Sequence, residues 1–429
     1  MKGRNKEFFS YVIPAVLAFA LSGVYTIVDG FFVGQSLGDI GIASITLGYP
    51  VAALIGAIGT GIGLSGAIRF TILNAQGETE AREKCFSGTA LLMLWVGVLL
   101  TVALYGLAAP ILRLLGAQGE ALALAVEYAR VIALGTLCQL LATGFVPFIR
   151  NMGGASFAML AMILGFATNI FLDYEFVWIL SWGMTGAALA TTIGQAVTML
   201  AAVGFFIVKK SGLRKMAWNE LRNLWSTVLK VALSPFGLTF SPTITMLLMN
   251  RFLLLYGNEQ DVAIYGCIGY IVSIIYLLLQ GVGDGSQPLI SHHYGENNRI
   301  AVRHTQNLAY QTAAVITVLC MTSVFLAREK VGVLFGASAT ANAGVVRYLP
   351  YFLVPLLFLA FVRITTSYFY ATEQTVRSYV LVYAEPVCTL LFLLLLPPFF
   401  KLVGVWLAVP LAQVVTFVIG LIEKRTAPH

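Results

Sequence analysis

The chain has 429 residues, of which 59% are hydrophobic and only 10% charged. A soluble domain carries about 45–50% apolar and about 25% charged residues, so an ordinary soluble enzyme and a disordered chain are both excluded. The net charge of +7, from 26 Lys and Arg against 19 Asp and Glu, fits basic loops on one face of a membrane better than a nucleic-acid surface.

A membrane-crossing helix needs about 20 apolar residues, so roughly 253 hydrophobic residues supply about 12 of them. The apolar runs are long and do not alternate, which argues against a β-barrel. The expected class is an all-α polytopic membrane protein. In chain order the spans are predicted near 8–33, 43–73, 86–108, 122–149, 157–180 and 184–209. The second set follows at 227–256, 263–292, 306–327, 345–370, 377–400 and 403–423. The start, MKGRNKEFF, runs straight into the first span with no cleavable signal pattern. Loops on one side carry most of the Lys and Arg, among them Lys2, Arg4, Lys6, Arg82, Lys84, Lys209, Lys210, Arg299 and Lys424, which predicts that both termini are cytoplasmic. The five cysteines are scattered, without a CxxC pair, and read as buried inert thiols.

The longest polar stretch, KKSGLRKMAWNELRNLWS over 209–226, reads as an amphipathic interfacial linker with Trp218 and Trp225 at headgroup depth. It divides the chain into an N-terminal lobe over 1–208 and a C-terminal lobe over 227–429, and these repeat. Pro14 and Asp29 are spaced like Pro235 and Asn250; Gly48-Tyr49 matches Gly269-Tyr270, GIGLSG (61–66) matches GVGDGS (281–286), LLGA (114–117) matches LFGA (334–337), Tyr128 matches Tyr348, and GAALATTIGQ (186–195) matches GVWLAVPLAQ (404–413). The offset stays between 218 and 221, which points to a duplicated six-helix unit. Six is even, so the copies share one topology, as in parallel-repeat transporters that rock around a cavity between their halves.

Acids inside the membrane are costly and therefore candidates for function. Here they are Asp29, Asp173, Glu175, Asp284 and Glu385. Asp29 and Asp173 fall at similar depth in the outer half of the first lobe. Asn169 precedes Asp173 by four residues and shares its helical face. Thr191 and Thr192 are expected to open the sixth span beside them. Two carboxylates, an amide oxygen and a hydroxyl form a hard-oxygen set suited to a proton or a small alkali cation. Neighbouring carboxylates disfavour each other's ionised form, which suits proton exchange; a plain helix-packing network is the alternative. Glu175 reads as structural. Asp284, set among glycines, and Glu385, before Pro386, suit substrate, gating or packing roles, and the partners of Arg251 and Arg363 stay open. His292-His293 reads as an interfacial pair, too small a set for a metal centre. Tyr25, Phe31, Phe148, Trp178, Tyr270, Tyr276 and Phe358 are candidate cavity aromatics. Pro14, on the helix of Asp29, is a candidate kink.

Together these segments resemble the multidrug and toxic compound extrusion (MATE) family over essentially the whole chain. The resemblance is carried by YVIPAVLAFALSGVYTIVDGFFVGQSLG, FIRNMGGASFAML, NIFLDYEF with WGMTGAALATTIGQ, GVGDGSQPLISHHYG and SYFYATEQ. It implies 12 helices in two pseudo-symmetric six-helix lobes arranged as a V around a central cavity. It also implies export of amphipathic, often cationic compounds against inward flow of H⁺ or Na⁺. The DinF-like branch of the family has an Asp on helix 1, an Asn and an Asp four apart on helix 5 and a Thr on helix 6. That pattern falls on Asp29, Asn169, Asp173 and Thr191. The NorM-like branch carries an acid on helix 7, where the repeat places Asn250 instead. GVGDGSQPLIS is similar to the segment in MepA-type exporters.

The sequence therefore predicts a secondary active multidrug antiporter that works by alternating access. It is expected to be monomeric, to sit in a bacterial-type plasma membrane in contact with lipid, and to need no cofactor and no nucleic acid. A lipid-linked oligosaccharide flippase of the same superfamily is disfavoured by 12 spans and few intramembrane basic residues. A membrane-embedded enzyme is disfavoured because HExxH, DDxxD and G-x-S-x-G are absent. A channel is the remaining alternative.

Overall fold

The computed structural model describes residues 2–334 and 338–427, leaving aside the side chains of Lys2, Thr26, Asp39, Ile42, Val333 and Leu334. Residues 335–337 of the LFGA repeat segment lie outside the described residues.

Among the described residues, fourteen helices account for the first and second halves in turn: α1 (Gly3–Gly38), α2 (Ala43–Ala75), α3 (Thr79–Leu114), α4 (Gly119–Leu134), α5 (Thr136–Asn151), α6 (Ala155–Ile179), α7 (Gly183–Val208), then α8 (Trp218–Tyr256), α9 (Glu259–Gly295), α10 (Arg299–Gly332), α11 (Ala339–Leu353), α12 (Leu356–Ala371), α13 (Thr375–Leu395) and α14 (Pro397–Thr426). Among the described residues, ten are long and apolar enough to cross a membrane alone. The pairs α4–α5 and α11–α12 are each bent, by 58° and 47°, and counting each as one span brings the total to twelve. The chain is thus a twelve-span membrane protein, with no strand among the described residues. The fourth and tenth spans, expected as single helices over 122–149 and 345–370, are each broken in the middle, at matching places of the repeat. Several other helices run a turn or two beyond the predicted edges, because a helix continues into the polar interface where hydropathy no longer marks it.

The chain forms two compact units. The first holds Ile13–Thr239 with Ser291–Asn297; the second holds Met1–Val12, Phe240–Ile290 and Asn298–His429. The first unit is built on an aromatic knot in which Phe86 packs against Phe148 (5.3 Å between ring centres) and Phe206 (4.8 Å), with Phe145 on Phe206 (5.1 Å). Phe148 is fully buried there, so it belongs to the core and does not line a cavity. The second unit centres on buried Trp406, stacked on Tyr348 at 4.2 Å and met edge-on by Phe352.

The repeat extends to backbone detail. Three turns have a positive φ at equivalent places: Gly77 (81°) and Asn297 (56°), Gly153 (83°) and Glu373 (55°), Gly183 (55°) and Lys401 (50°). The Gly153 turn closes with bonds from Met152, Gly153 and Gly154 N–H to the carbonyls of Phe148, Arg150 and Ile149. The Glu373 turn repeats them, from Thr372, Glu373 and Gln374 to Tyr368, Tyr370 and Phe369. Each closes the helix carbonyls that would otherwise be unsatisfied at a C-terminus.

Candidate cation-coupling site

Within the first unit, α1 and α6 bring the carboxyl groups of Asp29 and Asp173 into hydrogen-bonding contact. Asp29 is 8% exposed and Asp173 0%. Two adjoining carboxylates in apolar surroundings repel each other and lose hydration, so the pair is stable only with a shared proton or a cation between its oxygens. Oδ1 of each acid is buried without a hydrogen-bond partner among the described residues. α6 finishes in a π-helical turn, Tyr174–Ile179, that starts directly after Asp173. Such turns widen the helix and recur at functional positions. Glu175 lies half-buried in that turn.

Asn169 (2% exposed) stands one turn before Asp173 on the same face. One orientation of its amide satisfies both ends: the nitrogen donates to Asp173 Oδ2 at 3.1 Å and the oxygen accepts from the Thr191 N–H at 3.0 Å. The reverse orientation leaves one longer bond, to Thr191 Oγ1 at 3.4 Å. The doubly bonded orientation is the physical one, since a buried amide left half satisfied loses stability. The reach across to α7 depends on a close helix approach: a Cβ on Gly194 would stand 2.7 Å from the Gly165 carbonyl oxygen and 2.9 Å from the Asn169 Cβ. Thr191 does not open its helix as expected; α7 begins at Gly183, and Thr191 is buried more than two turns in.

Two tyrosines complete the cluster. Tyr25 lies one turn before Asp29 on α1 and stacks on Phe166 at 5.1 Å. Its hydroxyl and that of buried Tyr128, from α4, both reach Thr191 by hydrogen bond. Tyr25 is therefore part of the acid cluster. Tyr128 entered the sequence reading only as a repeat match to Tyr348. Nothing local marks it as a site residue, since it reaches Thr191 from a separate helix.

Asn250, Tyr270, Tyr276, Asp284 and Glu385 belong to the second unit. Tyr276 Oη donates to Glu385 Oε1 (3.3 Å), while Gln413 Nε2 reaches both Tyr276 Oη (2.7 Å) and Glu385 Oε1 (3.1 Å). The buried guanidinium of Arg363 lies 4.4 Å from the centre of the Tyr276 ring. Two turns further along α9, buried Asp284 accepts from Tyr370 Oη at 3.2 Å, and Tyr370 Oη also meets Ser367 Oγ at 2.9 Å. Asn250 is half-buried in α8, and Tyr270 is exposed. Pro14 is buried in an unbroken stretch of α1. His292 and His293 both face the carboxylate of Glu296, at 3.3 Å and 3.2 Å. Among the described residues, no three His, Cys, Asp or Glu side chains gather into a metal-holding group.

The chain matches the family model described as MatE twice, over residues 14–175 and 232–395, at the same offset as the internal repeat. It is 25% identical over 413 residues to a protein named multidrug export protein MepA from Staphylococcus haemolyticus, covering 96% of this chain and 91% of that one. It is 26% identical over 328 residues to a protein of the same name from Staphylococcus aureus, covering 75% of this chain and 71% of that one. Among solved structures, a MATE protein in complex with MaL6 superposes with a TM-score of 0.90 at 25% identity, over 98% of this chain and 96% of that one. An outward-facing multidrug resistance MATE family transporter of the MOP superfamily does so equally, over 98% and 95%. The twofold match, spread over most of the sequence, shows that the chain belongs to the MatE family of membrane transporters and is not an enzyme.

Proposed function

We propose that the chain is a secondary active multidrug efflux antiporter, exporting amphipathic, often cationic compounds in exchange for protons taken up at Asp29 and Asp173. The observation that carries this reading is the contact between those two buried carboxyl groups. The names of the relatives, multidrug export proteins, support the substrate class.

The site's hydrogen bonding favours a proton over sodium. Hard cations gather about six oxygens. Here the Asn169 oxygen is engaged by the Thr191 N–H, and the Thr191 hydroxyl is shared between the Tyr25 and Tyr128 hydroxyls. That leaves the carboxylates, and a carboxyl pair in contact is satisfied by one shared proton. Asn169 and Thr191 then act as positioning residues that hold Asp173 and the tyrosines, and not as ion ligands.

Protonation from outside would favour one arrangement of the lobes and drug the other, and each ligand works only through its difference in affinity for the two. Pro14, fifteen residues before Asp29 on α1, removes a helix hydrogen bond and lets that helix bend as the acids change charge. Both termini and the basic linker face the cytoplasm, no cofactor is required, and the chain acts as a monomer.

The test is drug export from proteoliposomes with a pH gradient and a sodium gradient imposed separately, comparing wild type with Asp29→Asn and Asp173→Asn. Export driven by the pH gradient and lost in both variants is expected. Export driven by sodium alone would replace the ion, and full gradient-driven export in both variants would remove the site.

A further inference from the structure

The segment joining α7 to α8 is clamped to α3, and it and the start of α8 hold four cations outside any ion pair among the described residues. Arg214 Nε bonds Glu83 Oε2 at 2.7 Å and its backbone N–H bonds Ser87 Oγ at 2.8 Å. Lys84 ties Glu220 (3.1 Å) to Glu80 (3.0 Å), and Trp225 Nε1 donates to the Gly88 carbonyl at 2.9 Å. Glu80, Glu83, Lys84, Ser87 and Gly88 all lie on the first turns of α3. The acids Glu80, Glu83 and Glu220 are thereby consumed by Lys84 and Arg214. Lys209, Lys210, Lys215 and Arg222 remain exposed and, among the described residues, outside any ion pair.

Their depth identifies what they meet. Lys209 and Lys210 follow directly on Ile207 and Val208, apolar side chains 70% and 81% exposed at the end of α7, so they stand where hydrocarbon gives way to headgroups. Leu213 (76% exposed) and Trp218 (66%) sit among them as apolar and interfacial anchors. Four unneutralised cations with two such anchors suit an anionic lipid surface; a soluble acidic partner would have no use for the anchors. The clamp holds the patch in one shape, so no ordering of a loop opposes binding.

We propose that the linker is a docking surface for anionic phospholipid, with Lys209, Lys210, Lys215 and Arg222 on the headgroup phosphates and Leu213 and Trp218 set into the interface. The surface stands independently of the coupling site. Each basic side chain near an anionic membrane strengthens binding by about fivefold, and salt weakens the effect.

The experiment incubates the purified full chain in detergent with an equal mixture of phosphatidylglycerol and phosphatidylcholine and measures retained lipid by native mass spectrometry. The wild type is expected to retain phosphatidylglycerol preferentially, and a variant with all four cations changed to Gln to lose at least about tenfold of that preference. Phosphatidylcholine retention should not change. Equal preference in both proteins overturns the proposal, as does displacement by millimolar inorganic phosphate, which would mark a free-anion site. In nanodiscs, the fluorescence lost on Trp218→Phe substitution should be quenched by brominated lipid in the wild type. An unquenched Trp218 contribution would likewise overturn it.

Discussion

Gly183 and Lys401 occupy the same turn of the two halves and share the same left-handed backbone, with φ of 55° and 50°. At Lys401 ψ is −132°, a combination that a side chain adopts only under strain. The first copy solves this turn with glycine and the second does not. Lys401 is exposed, so nothing about its side chain demands the choice. Lys401→Gly is expected to stabilise the folded chain by about 1 kcal/mol, and Gly183→Ala to destabilise it by at least as much. Thermal unfolding of the detergent-purified variants measures both, and the expectation fails if the two shift in the same direction.

The Asn169 amide offers a sharper test of the coupling site than the acids themselves. Asn169→Leu removes the donor to Asp173 and the acceptor for the Thr191 N–H while roughly keeping volume. The buried Asp173 Oδ2 then loses a partner, at a cost of about 1–3 kcal/mol. Export driven by a pH gradient should fall by about tenfold or more, with drug affinity measured in the absence of a gradient little changed. An equal loss of both would mean that Asn169 serves general packing.

Gly48 sets the position of Tyr128. A Cβ at residue 48 would stand 2.8 Å from the Tyr128 Cδ1, and the ring is buried with little room to retreat. Gly48→Ala should therefore destabilise by about 1–3 kcal/mol through overpacking. It should also impair coupled export, because the displaced ring carries its hydroxyl away from Thr191. Tyr128→Phe keeps the ring and removes only the hydroxyl. If both variants export normally, Tyr128 is core and nothing more.

The fold was largely legible because a membrane demands apolar helices of one length, and hydropathy reports that demand directly. The break after Leu134 was not, since the residues around it remain apolar and tertiary packing decides the bend, whereas the break after Leu353 is marked in the sequence by Pro355, a helix breaker. For the site, the intervals Tyr25–Asp29 and Asn169–Asp173 are one helical turn, so half of the cluster could be read along single helices. Tyr128 could not, because its hydrogen bond with Thr191 crosses between helices. Residue type makes Asn169 and Thr191 look like oxygen ligands, while the bond from the Thr191 N–H to the Asn169 oxygen is visible only in the fold.

In the second unit, Arg363 and Glu385 are joined through Tyr276, which stacks under the guanidinium and donates to the carboxylate. The arrangement compensates its own charge within the membrane span, which distinguishes it from the acid pair of the first unit. Removing one charge leaves the other in apolar surroundings, a change that typically costs about 3–5 kcal/mol, whereas removing both can be nearly neutral. Arg363→Met and Glu385→Gln should each lower thermal stability markedly, and the double variant should recover most of the loss. A coupling role predicts otherwise: Glu385→Gln alone would abolish gradient-driven export without unfolding the chain. Unfolding and transport measured on the same three variants separate the two outcomes, and recovery in the double variant assigns this network to holding α9, α12, α13 and α14 together.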